Sequence, residues 1–225
     1  TITISLSSGI DSSLLLGLLR KTFPKRKIVA ICGVFKNGFD ESKRAELIAK
    51  KFDADFVTVE MDSIFVNMPE LINITKKPRW NSFHHNIAKE AKKYGTFFVT
   101  GDGADEIFGG YTFRYEKFLN LLPKNHTWKH RVDCYLECHN RDWVSDQEKI
   151  FSSIIKFDWK IIHNYFKSFF KNSLLPTQQV MLADFNGKLL FDFIPTARSI
   201  SKYYGLIGAP IFLDDQLVKF GLHLS

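Results

Sequence analysis

The first hundred residues alternate between short apolar runs and longer stretches whose apolar positions recur at helical spacing. Thr3 to Leu16 reads as a short apolar strand, a tight hydroxyl-rich turn and the first turns of a helix that the Phe23-Pro24-Lys25 turn breaks. Lys27 to Phe35 is a second apolar run, consistent with a strand buried on both faces. Asp40-Glu41-Ser42 offers a helix start, Ala45, Leu47, Ile48, Ala49 and Phe52 give that helix an apolar face, and Asp55 to Glu60 reads as the next strand. The pattern predicts helices over 62–77 and 82–94, with Pro78 as a breaker between them, and a fourth buried strand from Gly95 to Thr100. Strands alternating with helices in this order imply a parallel sheet with right-handed crossovers. From Tyr111 onward the pattern predicts no further strand of that kind, only helical pieces rich in Phe, Trp and Lys, with a change of character near Pro123.

Two strand ends carry residues that suggest chemistry. After the first strand, helix N-terminal amides and the hydroxyls of Ser7, Ser8, Ser12 and Ser13 would surround one point, which is the make-up of a phosphate cradle. Asp11 would repel phosphates unless a divalent cation lay between, so it reads as a magnesium ligand, and the pairing suggests a nucleotide. The plainer alternative is an ordinary turn in which Ser7 or Ser8 caps the helix and Asp11 favours the positive end of its dipole. After the fourth strand, Gly101 to Tyr111 packs Asp102, Asp105 and Glu106 together with four glycines into eleven residues. Such a loop suits close backbone approach to a ligand, and its carboxylates call for a cation or an amine. It also reads as an acidic solvated loop capping a strand. In open parallel sheets ligands bind outside the carboxyl ends of strands where the winding reverses, so this loop is expected to face the first.

Composition narrows the class without choosing the activity. Apolar residues make up 45% and charged residues 24% of 225, which excludes disordered and collagen-like chains. No apolar run reaches about 18 residues and no signal peptide is seen, so a cytoplasmic enzyme is expected. The net charge of +7 is scattered and decides little. Cys32, Cys134 and Cys138 read as free thiols; Cys134, Cys138 and His139 lack the paired second half of a zinc site. Thr1, which could act as an N-terminal nucleophile, reads instead as the start of the first strand. Phe151 to Lys171 interleaves aromatics and lysines, as a membrane or single-strand nucleic-acid face does, and equally as amphipathic helices packing their aromatics into a core.

The first turn resembles the Ser-Gly-Gly-x-Asp-Ser pyrophosphate loop (PP-loop) of the ATP pyrophosphatases, with Ser8 at the first glycine; a left-handed backbone there would cost on the order of 1 kcal/mol. Thr100 to Tyr111, continued by Arg114-Tyr115, resembles the signature of the synthetase domain of glutamine-hydrolysing asparagine synthetases. Asp40-Glu41-Ser42, Pro78 and Ile211 to Asp214 agree with it too. This resemblance implies an α/β fold with a doubly wound, mainly parallel five-stranded sheet and a C-terminal helical part. We expect a core over 1–122 and a helical extension over 123–225.

The resemblance further implies that Leu6, Ser7, Ser8, Gly9, Asp11, Ser12, Val34, Thr100 and Gly101 bind ATP and that Asp11 and Asp105 bind Mg2+. Asp102, Asp105 and Arg198 are then the candidate catalytic residues. The implied reaction adenylates a carboxylate, expected to be that of L-aspartate, with loss of pyrophosphate, and ammonia then attacks. The best-known members carry Glu at the Asp102 position and many relatives carry Asp there, and Ala197 to Pro210 follows the family pattern only loosely. A glutaminase domain or subunit is expected to supply ammonia, and a lysine that stabilises the transition state is expected beyond Ser225. Other readings are a relative that closes β-lactams or amidates another carboxylate, a tRNA-modifying pyrophosphatase, and a non-catalytic nucleotide-binding paralogue. No membrane or nucleic-acid partner is expected, and a homodimer is left open.

Overall fold

The computed structural model describes residues 1–35, 38, 40–61, 63–78, 83–139, 147–150 and 158–224. The chain forms two compact units, one made of Thr1–Ala104 with Leu190–Leu217 and the other of Asp105–Leu189 with Val218–Ser225. The first unit thus takes back a segment from late in the sequence.

In the first unit β1 (Ile2–Ser5) leads to α1 (Ile10–Thr22), β2 (Ile28–Val34), α2 (Ser42–Lys51), β3 (Asp55–Glu60), α3 (Ile64–Thr75), α4 (Phe83–Ala91) and β4 (Phe97–Thr100). The second unit opens with α5 (Ala104–Phe108), whose first residue closes the preceding segment, then α6 (Thr112–Leu121), α7 (Trp128–Cys138), α8 (Gln147–Ile150), α9 (Trp159–Phe170) and α10 (Pro176–Ala183). A π-helical stretch, Asp184–Phe193, precedes α11 (Ile194–Tyr203), β5 (Ile207–Pro210) and α12 (Asp215–Leu222). The helices expected over 62–77 and 82–94 are α3 and α4; residues 62, 79–82 and 151–157 lie outside the described ones.

All strand pairs are parallel, in the order β3-β2-β1-β4-β5. β5 corrects the expectation of no strand after Tyr111. It is a four-residue edge strand containing Gly208 and Pro210, too short and too poor in β-formers to stand out, and only an edge tolerates the proline. Winding runs from β1 through β2 to β3, then resumes on the other side of β1 with β4. That reversal lies between the carboxyl ends of β1 and β4.

The sheet is held by burial on both faces. Val29, Ile31 and Phe98 pack with Leu71 of α3, Ile87, Ala88 and Ala91 of α4 and Ile200 of α11. Ile28 and Ala30, also buried, alternate to the opposite face by the period-two rule. β1 is the central strand, with Thr3 and Ile4 fully buried and the Thr3 hydroxyl donating to the Phe97 carbonyl at 2.7 Å.

The second unit has its own core of Tyr115, Phe118, Val132, Tyr135, Phe170, Val180 and Ala183. Phe166 and Phe169 of α9 pack against it, so the described part of the aromatic and lysine-rich stretch is core-forming, on a helix started by Asp158 accepting from Lys160 N–H. Asp184 is fully buried and accepts hydrogen bonds from Arg114 Nη1 at 2.7 Å and Tyr135 Oη at 2.8 Å. No helix among the described residues is long and apolar enough to cross a membrane.

Candidate active site

The chain leaves β1 at Ser5, extends the ladder once through Leu6 N–H to the Ile31 carbonyl at 2.9 Å, and turns over Ser7, Ser8 and Gly9 into α1. Gly9 is the N-cap, with φ −73° and no side chain to offer the first-turn amides. The capping alternative for Ser7 or Ser8 is therefore not what the turn adopts. The Ser7 hydroxyl instead accepts from Gly9 N–H at 3.1 Å and shares a 3.0 Å contact with the Ser12 hydroxyl. Ser12 also accepts from Ser7 N–H at 3.1 Å, which pins the turn to the helix it starts. Helix N-terminal amides without a side-chain cap suit an anion, and Asp11 in the first turn adds a hard oxygen suited to magnesium.

The turn already holds a carboxylate. Ser8 donates both its N–H and its hydroxyl to Glu41 Oε2, each at 2.8 Å. Glu41 precedes α2, whose start at Ser42 is instead stabilised by Asp40 accepting from Ser42 N–H at 2.9 Å. Among the described non-glycine residues only Asp53 and Lys76 have positive φ, so Ser8 carries no left-handed strain and the cost expected for it does not arise. Glycine freedom is used in the second loop, where Gly103 has φ 94° and Gly109 φ 75°.

The two motif loops meet at the strand reversal: a Cβ placed on Gly101 would stand 3.7 Å from both Asp11 Cβ and Ser12 N. Next to Gly101, the Thr100 hydroxyl donates to Asp102 Oδ2 at 2.8 Å and His84 Nε2 lies 3.5 Å from Asp102 Oδ1. Burial pushes the Asp102 carboxyl up, but the His84 charge and hydrogen bond, with the Thr100 hydroxyl, hold it below the ordinary carboxylate value. Asp102, His84 and Arg198 line one cavity of about 520 Å³, together with the polar Thr100, Ser201 and Lys202 and apolar groups such as Phe98, Ile194 and Leu206. Val34 stands at the end of β2, its carbonyl accepting from Met61 N–H at 2.8 Å.

A family model described as asparagine synthase matches residues 1–223. The chain belongs to the asparagine synthase family. It is 32% identical over 128 residues to asparagine synthetase [glutamine-hydrolyzing] 1 of Bacillus subtilis (strain 168), covering 52% of this chain and 19% of that protein. A provisionally named asparagine synthetase [glutamine-hydrolyzing] of Mycobacterium tuberculosis (strain CDC 1551 / Oshkosh) is 32% identical over 128 residues, 55% of this chain and 19% of the relative. A provisionally named asparagine synthetase [glutamine-hydrolyzing] 2 of Methanocaldococcus jannaschii is 25% identical over 134 residues, 53% of this chain and 25% of the relative. The chain thus spans a quarter or less of the length of these curated relatives.

Within this asparagine synthase fold the first unit gathers Leu6, Ser7, Ser8, Gly9, Asp11, Ser12, Thr100, Gly101 and Asp102 at the strand reversal, and Asp102 shares its cavity with Arg198. Asp105 belongs to the second unit, where the Gly109 and Gly110 amides both donate to its carbonyl at 3.0 Å. Also in that unit, Lys188 Nζ donates to Tyr111 Oη at 3.1 Å, and Tyr111 donates to Glu106 Oε1 at 2.9 Å. Burial raises Glu106 and lowers Lys188. Cys134 and Cys138 are free, and no group of three metal-ligating side chains is placed for a metal among the described residues.

The sequence pattern did not single out the contacts of His84, Glu41 and Lys188. Glu41 was legible only as a helix start, and Lys188 only as one lysine among many. The signal for His84 was a histidine pair at the start of a helix that otherwise supplies apolar core residues.

Proposed function

We propose that this chain carries the nucleotide-using half of an amide-forming ligase. ATP with magnesium would be held by the turn from Ser7 to Ser12, with Val34, Thr100 and Gly101 around the nucleotide. The carboxylates of Asp11 and Asp105 are proposed as magnesium ligands, and Arg198 as a group that handles the carboxylate substrate. When bound, ATP would supply the adenylyl group and magnesium would offset the charge of the departing pyrophosphate. The substrate proposed is L-aspartate. The observation that carries the reading is the meeting of the two loops at the strand reversal, Gly101 against Asp11 and Ser12.

The chain's own residues would do three things. Serine hydroxyls and helix amides orient the β and γ phosphates as one leaving unit. The Thr100 hydroxyl fixes Asp102 at the cavity wall, where Asp102 accepts the proton given up by the attacking amine. The apolar part of the cavity wall, Phe98, Ile194 and Leu206, would keep water from the activated acyl group. We further propose a cytoplasmic setting and a glutaminase domain or subunit as the ammonia source, because the relatives are named for glutamine hydrolysis.

The test is incubation of the full-length gene product with α-labelled ATP, magnesium, ammonia and candidate carboxylates. Labelled AMP, pyrophosphate and amide formed with L-aspartate are expected. Labelled ADP would overturn the mechanism, and AMP formed only with another carboxylate would replace the substrate. The first loop lacks the Gly-Lys-Ser/Thr ending of a Walker loop, which is why AMP and not ADP is expected.

A further inference from the structure

Two adjacent histidines on α4 have different surroundings. His85 Nε2 lies 3.2 Å from Glu70 Oε2 of α3, and its ring stands 5.6 Å from the ring of Tyr204, which follows α11. His85 does not line the cavity beside Asp102, so it reads as a packed core histidine with its polar atoms engaged. His84, also buried, lines that cavity and stands 3.5 Å from Asp102 Oδ1, while the Thr100 hydroxyl takes Oδ2. The Thr100 hydroxyl thus holds one carboxylate oxygen, and the His84 imidazole stands at ion-pair distance from the other. α11 contributes Arg198, Ser201 and Lys202 to the same wall.

We propose that His84 is the positioning residue for Asp102: the two act as one proton-accepting pair at the cavity wall, and the amine that attacks the acyl group delivers its proton to that pair. The inference rests on the amide-forming reading of the site. In the step, the nitrogen lone pair forms the C–N bond at the acyl carbon. The acyl C–O bond to the phosphate breaks, with its electrons leaving on AMP. One N–H proton passes to the pair, which releases it to water.

The physical need is clear from burial. A buried carboxylate with no charged neighbour takes up a proton and stops being an acceptor, whereas a cationic side chain at ion-pair distance favours its ionised form. The positive charges of Arg198 and Lys202 on the same wall disfavour entry of an ammonium ion. They favour the neutral amine, which carries the reactive lone pair.

The first test needs no turnover. In the full-length gene product labelled with 13C at aspartate carboxyls, the Asp102 resonance is assigned by its loss in Asp102→Asn and followed through a pH titration. His84→Gln is expected to move the Asp102 midpoint up by about one pH unit, a tenfold change in proton affinity. Thr100→Val, which removes the other hydrogen bond and keeps the side-chain shape, should move it the same way by less. An Asp102 midpoint that is the same with and without His84 overturns the pairing.

The second test reads the reaction. His84→Gln should carry the acid limb of amide formation to higher pH, and pyrophosphate release should not follow it. A uniform loss of both at every pH would make His84 a structural residue only and overturn the proposal. Should the wild type form no AMP, the ligase reading fails, and the carboxyl titration still decides whether His84 and Asp102 are paired.

Discussion

Ser8 spends two donors on an internal carboxylate in the loop proposed to take the phosphates, so removing that carboxylate should tighten anion binding. The perturbation is Glu41→Ala. Hydrogen bonds to charged groups contribute about 1.5–3 kcal/mol each when well buried. Ser8 and Glu41 are only half-buried, so about 1 kcal/mol each is the better figure. An incoming pyrophosphate that must displace both would lose about 2 kcal/mol, close to thirtyfold in affinity at about 1.4 kcal/mol per decade. Ser8→Gly removes only the hydroxyl bond and should recover roughly fivefold on the same scale. Calorimetric titration of the full-length protein with magnesium pyrophosphate reads both. The same Glu41→Ala change removes the tie between the loop and the segment before α2. It should lower the melting temperature by roughly 4–8 °C at about 2 kcal/mol lost. Lower stability together with tighter pyrophosphate is the expected signature. Weaker or equal pyrophosphate binding would refute the reasoning, because Glu41 would then be shaping the loop without competing for it.

Three further outcomes follow from the second unit. Gly110→Ala puts a Cβ into Asp105 Oδ1, so the carboxylate must swing away; magnesium titration should show at least a tenfold loss of affinity, and an unchanged value would remove Asp105 from the metal assignment. Asp184→Asn leaves Arg114 buried without its counter-charge and should cost about 3–5 kcal/mol in denaturant unfolding. Burial raises the Asp184 carboxyl, but His139, Arg114 and Tyr135 outweigh it and lower the folded value. Its contribution is therefore present above the ordinary value of 3.8 and lost as pH falls through the folded one, so the variant's acid limb should be flatter there. Glu106 has the opposite sign: burial raises it, so its stabilisation is complete below 4.5 and fades as pH rises through the folded value. The melting temperature of Glu106→Gln relative to wild type should therefore climb from pH 4 to pH 8.

The sheet was legible wherever local pattern and burial agree. The runs at β1, β2, β3 and β4 are apolar, bounded by turns and separated by helix-length segments, so each could be found alone. β5 could not, because its place depends on pairing with β4 far back in the chain, and Gly208 and Pro210 disguise it. The site divides in the same way. Asp11, Asp102 and the glycines sit in contiguous motifs whose residue types state their chemistry. Glu41 and His84 matter through what they touch, Ser8 and Asp102, at separations that no local window spans. Ser8 misled for a local reason: the glycine it replaces suggested a left-handed backbone, and this turn does not use one.

The late return of the chain to its own sheet sets an order of assembly. Phe97 of β4 pairs with Ile207 of β5, so the outer side of β4 waits for a segment made about 110 residues later. At ordinary ribosome speeds that is roughly 5–20 s in which four strands exist and one interior edge lies open. An open edge is a template for pairing with any other chain, which makes this interval the window in which a nascent molecule is most exposed to aggregation or to a chaperone. When β5 arrives, it brings Pro210, which has no N–H to offer a further strand. The residue that made the strand hard to read is thus also one that stops the finished sheet from growing.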